Sequence, residues 1–197
     1  VEILAEAGLP DGVLNIVHGG GSAVGVPLVQ HPDVKMISFT GSSEVGKDIA
    51  ARCAPSLKRL SLELGGKNAQ IVMDDADLEL AIEGALWGAF GTTGQRCTAT
   101  SRLIVTKSVR DALVPRLVDK AMKLRLGDGL DPASEVGPVV NTRARDGIHG
   151  YVEIGKKEGA KLLCGGSAAE EGALKDGAFY RPTIFDQVTP RMRIARE

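Results

Sequence analysis

No stretch of the sequence approaches the roughly 20 consecutive apolar residues that a membrane-spanning helix needs, and residues 1–20 lack the basic, apolar and small-residue order of a secretory signal. A cytoplasmic setting without membrane contact is the expectation. Cysteine is scarce: Cys53, Cys97 and Cys164 are widely spaced, odd in number and without a CxxC pair, and there are only 3 histidines. That usage excludes a disulfide framework and points to no metal site. Charge of neither sign is in excess, because 24 Lys and Arg stand against 25 Asp and Glu, and a net charge of -1 leaves no electrostatic footprint for nucleic acid. Internal repeats and low-complexity tracts are missing too. What is there, 197 residues that are 43% hydrophobic and 25% charged with 25 glycines, is an ordinary globular composition whose expected partner is a small molecule.

Apolar residues Ile3, Leu4 and Ala7 recur at helical spacing and stop at Gly8 and Pro10, so the chain opens on a helix end. From there strand-like and helix-like segments alternate. VLNIV (Val13 to Val17) and KMISFT (Lys35 to Thr40) read as strands around a helical crossover; Pro27 within that crossover either kinks the helix or delays its start. A helix from about Ser43 to Ala54 leads to KRLSLEL (Lys58 to Leu64), in which Leu60, Leu62 and Leu64 alternate with polar residues. This βαβαβ order predicts a parallel sheet whose ligand edge lies after Val17, Thr40 and Leu64. Gly65-Gly66 starts a second series. NAQIVM (Asn68 to Met73) precedes a helix capped by Asp77, with Leu78, Ile82, Ala85, Leu86, Ala89 and Phe90 on its apolar side, and then RLIVT (Arg102 to Thr106). Ser108 is read as the cap of an amphipathic helix through Val109, Leu113, Leu117 and Met122. A loop from Gly127 to Pro138, a helix over about Thr142 to Gly155, and the strands AKLLC (Ala160 to Cys164) and PTIF (Pro182 to Phe185) complete the chain.

Four segments carry candidate chemistry. HGGGSAVG is either a phosphate-binding turn or a plain tight one: Gly19, Gly21 and Gly25 give GxGxxxG, and Val24 stands where the GxGxxG fingerprint needs glycine. FTGSSEVG offers Ser42 and Ser43 at a helix start after Gly41, either as anion donors or as an ordinary N-cap. Glu63, among apolar strand residues, is solvated, paired with Lys67, or a base with a raised pKa. Cys97 lies in the small-residue loop GTTGQRCTAT, where a thiol is either inert or open to substrate, whereas Cys53 and Cys164 read as small core hydrophobes.

In this order, AGLPDGVLNIVHG, ISFTGSSEVGK, LELGGKN and GTTGQRCTATSR resemble the aldehyde dehydrogenase superfamily, and PTIF followed by ARE resembles its later segment. The resemblance covers essentially the whole chain. It implies an α/β fold: a partial Rossmann-like, parallel-sheet cofactor domain (residues 1–65) joined to the N-terminal part of an α/β catalytic domain (66–197). It further implies that Cys97 attacks an aldehyde, that hydride passes to NAD or NADP, and that Glu63 activates the water that hydrolyses the resulting thioester. Cofactor contacts fall on Gly21, Gly25, Thr40, Gly41, Ser42, Val45, Leu64 and Gly65. Of these, Ser42 faces the pyrophosphate, Val45 the adenine, Gly21 and Gly25 the adenosine half, and Leu64 and Gly65 the nicotinamide. No metal is implied.

The same resemblance puts the family's asparagine oxyanion donor and ribose-contacting lysine ahead of this chain and a further glutamate beyond it, so an interior part of a longer, homo-oligomeric enzyme is expected. A coenzyme A-acylating member is the nearest alternative, which Glu63 disfavours because that route needs no water-activating base. An inactive cofactor-binding relative is the other. GTTGQRCTATSR looks most like members acting on semialdehydes with a distant carboxylate.

Overall fold

A computed structural model describes residues 1–197 and divides into two compact units, Val1–Gly65 and Gly66–Glu197. The first begins with the single-turn helix α1 (Glu2–Glu6), stopped before Gly8 at φ +90°. VLNIV is not a strand, contrary to expectation: Val13, Ile16 and Val17 are more than half exposed and pair with nothing. A strand exists only where a neighbour takes its backbone hydrogen bonds, and the first sheet of the chain contains two strands alone, β1 (Met36–Gly41) and β2 (Arg59–Leu64). Ahead of them a π-turn over Gly21–Gly25 runs into α2 (Val26–Gln30), with Pro27 in its first turn. Helical backbone already runs through Gly25 (φ −63°, ψ −49°), so Pro27 lies where the wider π spacing passes into α spacing rather than at a free helix start.

β1 and β2 are parallel, in register from Met36↔Arg59 to Gly41↔Leu64, and the crossover between them is α3 (Ser43–Cys53). Alternation in β2 works as read: Leu60, Leu62 and Leu64 are half-buried and the residues between them exposed. The small core consists of Val29, Ile49 and Cys53 packed on Ile37, Phe39, Leu60 and Leu62. Lys58 Nζ ties α2 to the sheet by donating to the carbonyls of Val29 (2.7 Å) and His31 (2.5 Å).

In the second unit β3 (Asn68–Val72) and β4 (Thr100–Val105) form another parallel pair, connected through α4 (Leu78–Phe90). Asp77 caps α4 as expected, its carboxylate accepting from the backbone N–H groups of Glu79 and Leu80. α5 (Lys107–Lys123) follows, but it begins ahead of Ser108: Thr106 is its N-cap and makes no side-chain capping bond. Its buried row is Leu113, Leu117 and Ala121, whereas Met122 is 65% exposed. Residues at i, i+4 and i+8 share one face, so Ala121 takes the place assigned to Met122. Val72, Ile82, Ala85, Leu113 and Leu117 are the core. α6 (Thr142–Lys157), capped by Asn141, leads to the antiparallel pair β5 (Lys161–Cys164) and β6 (Ile184–Asp186), and α7 (Arg193–Arg196) closes the chain. The α/β class is as expected. No helix is long and apolar enough to cross a membrane.

Candidate active site

Because β1 and β2 are parallel, their carboxyl ends meet at one edge, where Thr40 stands opposite Glu63 and Gly41 opposite Leu64. Ser42 follows directly. Its Oγ accepts from Val45 N (3.2 Å) and caps α3, and the N–H groups of Ser43 and Glu44 donate to no protein group. Both readings of FTGSSEVG are thus compatible: an N-cap and a helix start with two free donors. Val45 is 45% exposed on the first turn. At Gly46, α3 lies so close to the sheet that a Cβ would collide with the Leu64 side chain. Gly21 and Gly25 lie apart from this edge in sequence, in the π-turn before α2, and a Cβ at either, or at Gly65, would meet nothing within 4 Å. The space on the Cβ side of these glycines is therefore empty.

The Glu63 carboxylate is exposed and takes part in no ion pair or hydrogen bond within its unit. Lys67, the structural partner considered for it, instead donates through Nζ to the Glu197 carbonyl (2.5 Å). Burial, and then the nearby Arg102 cation, hold the Lys67 ammonium below its ordinary pKa.

The Cys97 loop in the second unit is built from an uncommon backbone. Thr92, Thr93 and Gly94 are consecutive left-handed residues, at φ 55°, 56° and 69°. Two β-branched residues there store strain of about 1–3 kcal/mol each, so the surroundings must hold them. Gln95 does much of this: its N–H donates to Thr92 O (3.1 Å), its side-chain amide donates to Thr93 Oγ1, and its Oε1 accepts from Val140 N (3.0 Å). Arg96 anchors the next step, with its guanidinium 4.0 Å from the centre of the Trp87 ring and Nη2 donating to Trp87 O (3.2 Å) at the end of α4. Cation–π attraction and the negative end of the helix dipole both favour it there; its Nε is buried without a partner.

Cys97 itself is exposed, while Cys53 is 1% and Cys164 8% exposed. Residues 96–99 form a turn in which Ala99 N donates to Arg96 O (3.1 Å). Asn68 Nδ2 donates to Cys97 O (2.5 Å) and Ala99 O (3.3 Å), and the Cys97 N–H donates to no protein group. An accessible thiol beside a free N–H on its own residue is an arrangement suited to acyl chemistry, the sulfur attacking a carbonyl carbon and the N–H receiving the oxygen. Asn68, Gln95 and Arg96 were not singled out from the sequence. Only Asn68 carried a hint, its place directly after Gly65-Gly66-Lys67.

A groove of about 860 Å3 runs along β4 between Lys67, Arg102, Tyr151, Phe185 and Ile194 and does not include Cys97. No group of three His, Cys, Asp or Glu side chains is placed to hold a metal ion.

The chain belongs to the aldehyde dehydrogenase family, whose description, "Aldehyde dehydrogenase family", matches residues 1–197. A betaine aldehyde dehydrogenase of Brucella anthropi is 48% identical over 196 residues, which are all of this chain and 40% of that protein; one of Brucella ovis is 45% identical over the same share. Among solved structures, a betaine aldehyde dehydrogenase of Staphylococcus aureus in complex with NAD+ is 41% identical with a TM-score of 0.96, covering 100% of this chain and 39% of that one. A putative aldehyde dehydrogenase from Burkholderia cenocepacia is 43% identical with a TM-score of 0.97, over 100% and 40%. The fold is therefore that of the aldehyde dehydrogenases, and the chain spans about 40% of the length of the curated relatives it matches.

Proposed function

We propose that the chain is the nucleophile-bearing part of an NAD(P)-dependent aldehyde dehydrogenase, oxidising an aldehyde to a carboxylic acid through a thiohemiacetal and then a thioester on Cys97. The observation that carries this reading is the Cys97 turn, an exposed thiol with an unengaged N–H on the same residue, in a chain of this family. Residues 1–65 are then the C-terminal half of the cofactor domain and 66–197 the first part of the catalytic domain.

The free N–H groups of Ser43 and Glu44, at the start of an 11-residue helix directly after the edge formed by Thr40 and Gly41, suit a dinucleotide pyrophosphate. Val45 and the open turn at Gly21 and Gly25 suit the adenosine half, and Leu64 and Gly65 the nicotinamide. NAD(P)+ when bound accepts the hydride that the Cys97-linked carbon gives up. The protein does the rest. Cys97 Sγ, as thiolate, forms the C–S bond while its N–H holds the oxyanion; the carbonyl re-forms as a thioester, and Glu63 takes a proton from the water that attacks it. The C–S bond then breaks, releasing the acid and returning the thiolate. An exposed, unpaired carboxylate at the sheet edge favours this hydrolytic route over transfer to coenzyme A.

The GTTGQRCTATSR motif supports a semialdehyde as substrate and the relatives named betaine aldehyde dehydrogenase support a quaternary-ammonium aldehyde, so both classes are to be assayed; the Arg96 guanidinium, stacked on Trp87 and bonded to its carbonyl, favours neither. The test is aldehyde-dependent formation of reduced cofactor by the full-length protein that contains this chain. Cys97→Ser should abolish it while Cys53→Ser and Cys164→Ser keep most of it. Equal loss from Cys53→Ser would sink the assignment.

A further inference from the structure

We propose that Asn68 is a positioning residue for Cys97: its side-chain amide, donating to the carbonyls of both Cys97 and Ala99, turns the loop so that the Cys97 N–H is left free to receive the substrate oxygen. The proposal rests on Cys97 being the nucleophile and adds what holds it.

Asn68 is itself fixed. It is the first residue of β3, where the pairing with β4 is irregular: Asn68 stands opposite Thr100 and Ala69 opposite Arg102, which leaves Ser101 as the extra residue of a bulge. Ser101 uses its hydroxyl to donate to Asn68 O (3.1 Å), so the bulge locks the residue whose amide reaches the loop. The orientation of that amide follows from its partners. Two carbonyl oxygens face it, and only the NH2 end can satisfy both.

Peptide planarity carries the effect to the nucleophile. In a trans peptide the C=O and N–H point in opposite directions. With Arg96 O turned inward to accept from Ala99 N, the Cys97 N–H must point out of the turn; with Cys97 O turned toward Asn68, the Thr98 N–H points away from Asn68. Neither N–H has a protein acceptor. Without Asn68 the 97–98 peptide is free to rotate, and the Cys97 carbonyl can turn its negative end toward the site where negative charge develops.

The test uses pre-steady-state formation of reduced cofactor in the full-length protein. Asn68→Asp keeps the shape and removes the donor, setting a carboxylate against two carbonyls. The burst rate constant should fall on the order of ten- to a hundredfold, by analogy with loss of an oriented donor, while the dissociation constant for NAD+ stays within twofold. A purely structural role would lower the burst amplitude with the folded fraction and leave the rate constant alone. A rate constant within twofold of the unsubstituted protein therefore overturns the proposal. Asn68→Ser, which keeps a donor but loses its reach, serves the same comparison should the Asp variant not fold. If the unsubstituted protein forms no reduced cofactor with any aldehyde, it is the dehydrogenase reading that fails.

Discussion

Thiol alkylation separates the three cysteines without assuming any catalytic step. Cys53 lies between α3 and the β1–β2 pair at 1% exposure, in a cluster with Val29 and Ile49, so a reagent reaches it only when α3 undocks. Undocking returns at least two buried aliphatic side chains to water, about 1.5–3 kcal/mol each, and so costs about 3 kcal/mol or more. With a tenfold factor per 1.4 kcal/mol, Cys53 should react on the order of a hundredfold more slowly than an open thiol. Cys164 is 8% exposed, its Sγ donates to Pro182 O (3.7 Å), and burial pushes its thiol above the ordinary pKa, which lowers its thiolate fraction as well as its access. Cys97 is exposed. Limited iodoacetamide treatment of the native full-length protein, followed by peptide mass mapping, should find one adduct, at Cys97, before any at the other two. Comparable rates at Cys53 and Cys97 would refute the packing argument, and a protected Cys97 would refute its role as a nucleophile.

Glu63→Gln should still give a burst of reduced cofactor, about one per active site, and then stall as thioester; unchanged steady-state turnover would show that another group activates water. Gly94→Ala forces a side chain onto φ +69° and brings its Cβ to 2.8 Å from Ala89 O. With about 1–2 kcal/mol for the left-handed backbone alone, the loop should shift and slow the burst, and full activity at unchanged stability would contradict the loop geometry. Tyr180 is pushed up to about 12 by burial and then by Glu153. A raised folded-state pKa stabilises below the unfolded value and is lost as pH rises through the folded one, so the unfolding midpoint should fall between about pH 10 and pH 12, less so in Tyr180→Phe. Expressed alone, the 197 residues expose 13,079 Å2, whereas even two separate compact bodies sharing this mass by length would expose about 10,600 Å2. The isolated chain should bind a hydrophobic dye, and its absence at micromolar protein would count against the exposed apolar surfaces.

What could be read in advance about the fold was the part set by each segment's own periodicity. Leu60, Leu62 and Leu64 alternate because one side of β2 faces a core, and Asp77 caps α4 because its short carboxylate reaches the N–H groups of Glu79 and Leu80, two and three residues on. VLNIV failed for the opposite reason. Its composition suits a strand, but a strand is a relation between two segments, and no neighbour in the chain pairs with it. The Ala121 and Met122 exchange comes from helix phase: the i+4 step from Leu113 to Leu117 continues to Ala121, so it is Ala121 and not Met122 that points inward.

The site divides along the same line. Glu63, Ser42 and Cys97 stood out because each has a chemistry and a local context, a strand end, a helix start and a small-residue loop. What makes the Cys97 turn usable is instead contributed by residues with unremarkable local contexts. Asn68 reaches a carbonyl 29 residues away, Gln95 accepts from a backbone N–H 45 residues away, and Arg96 lies back on a ring nine residues earlier. Such contacts have no period and no spacing, since they follow from how β3, α4, β4 and the segment ahead of α6 come together rather than from any one of them. The thiol of this turn could be picked out by its motif, while the amide that holds the turn's carbonyls is brought within reach only by the sheet pairing.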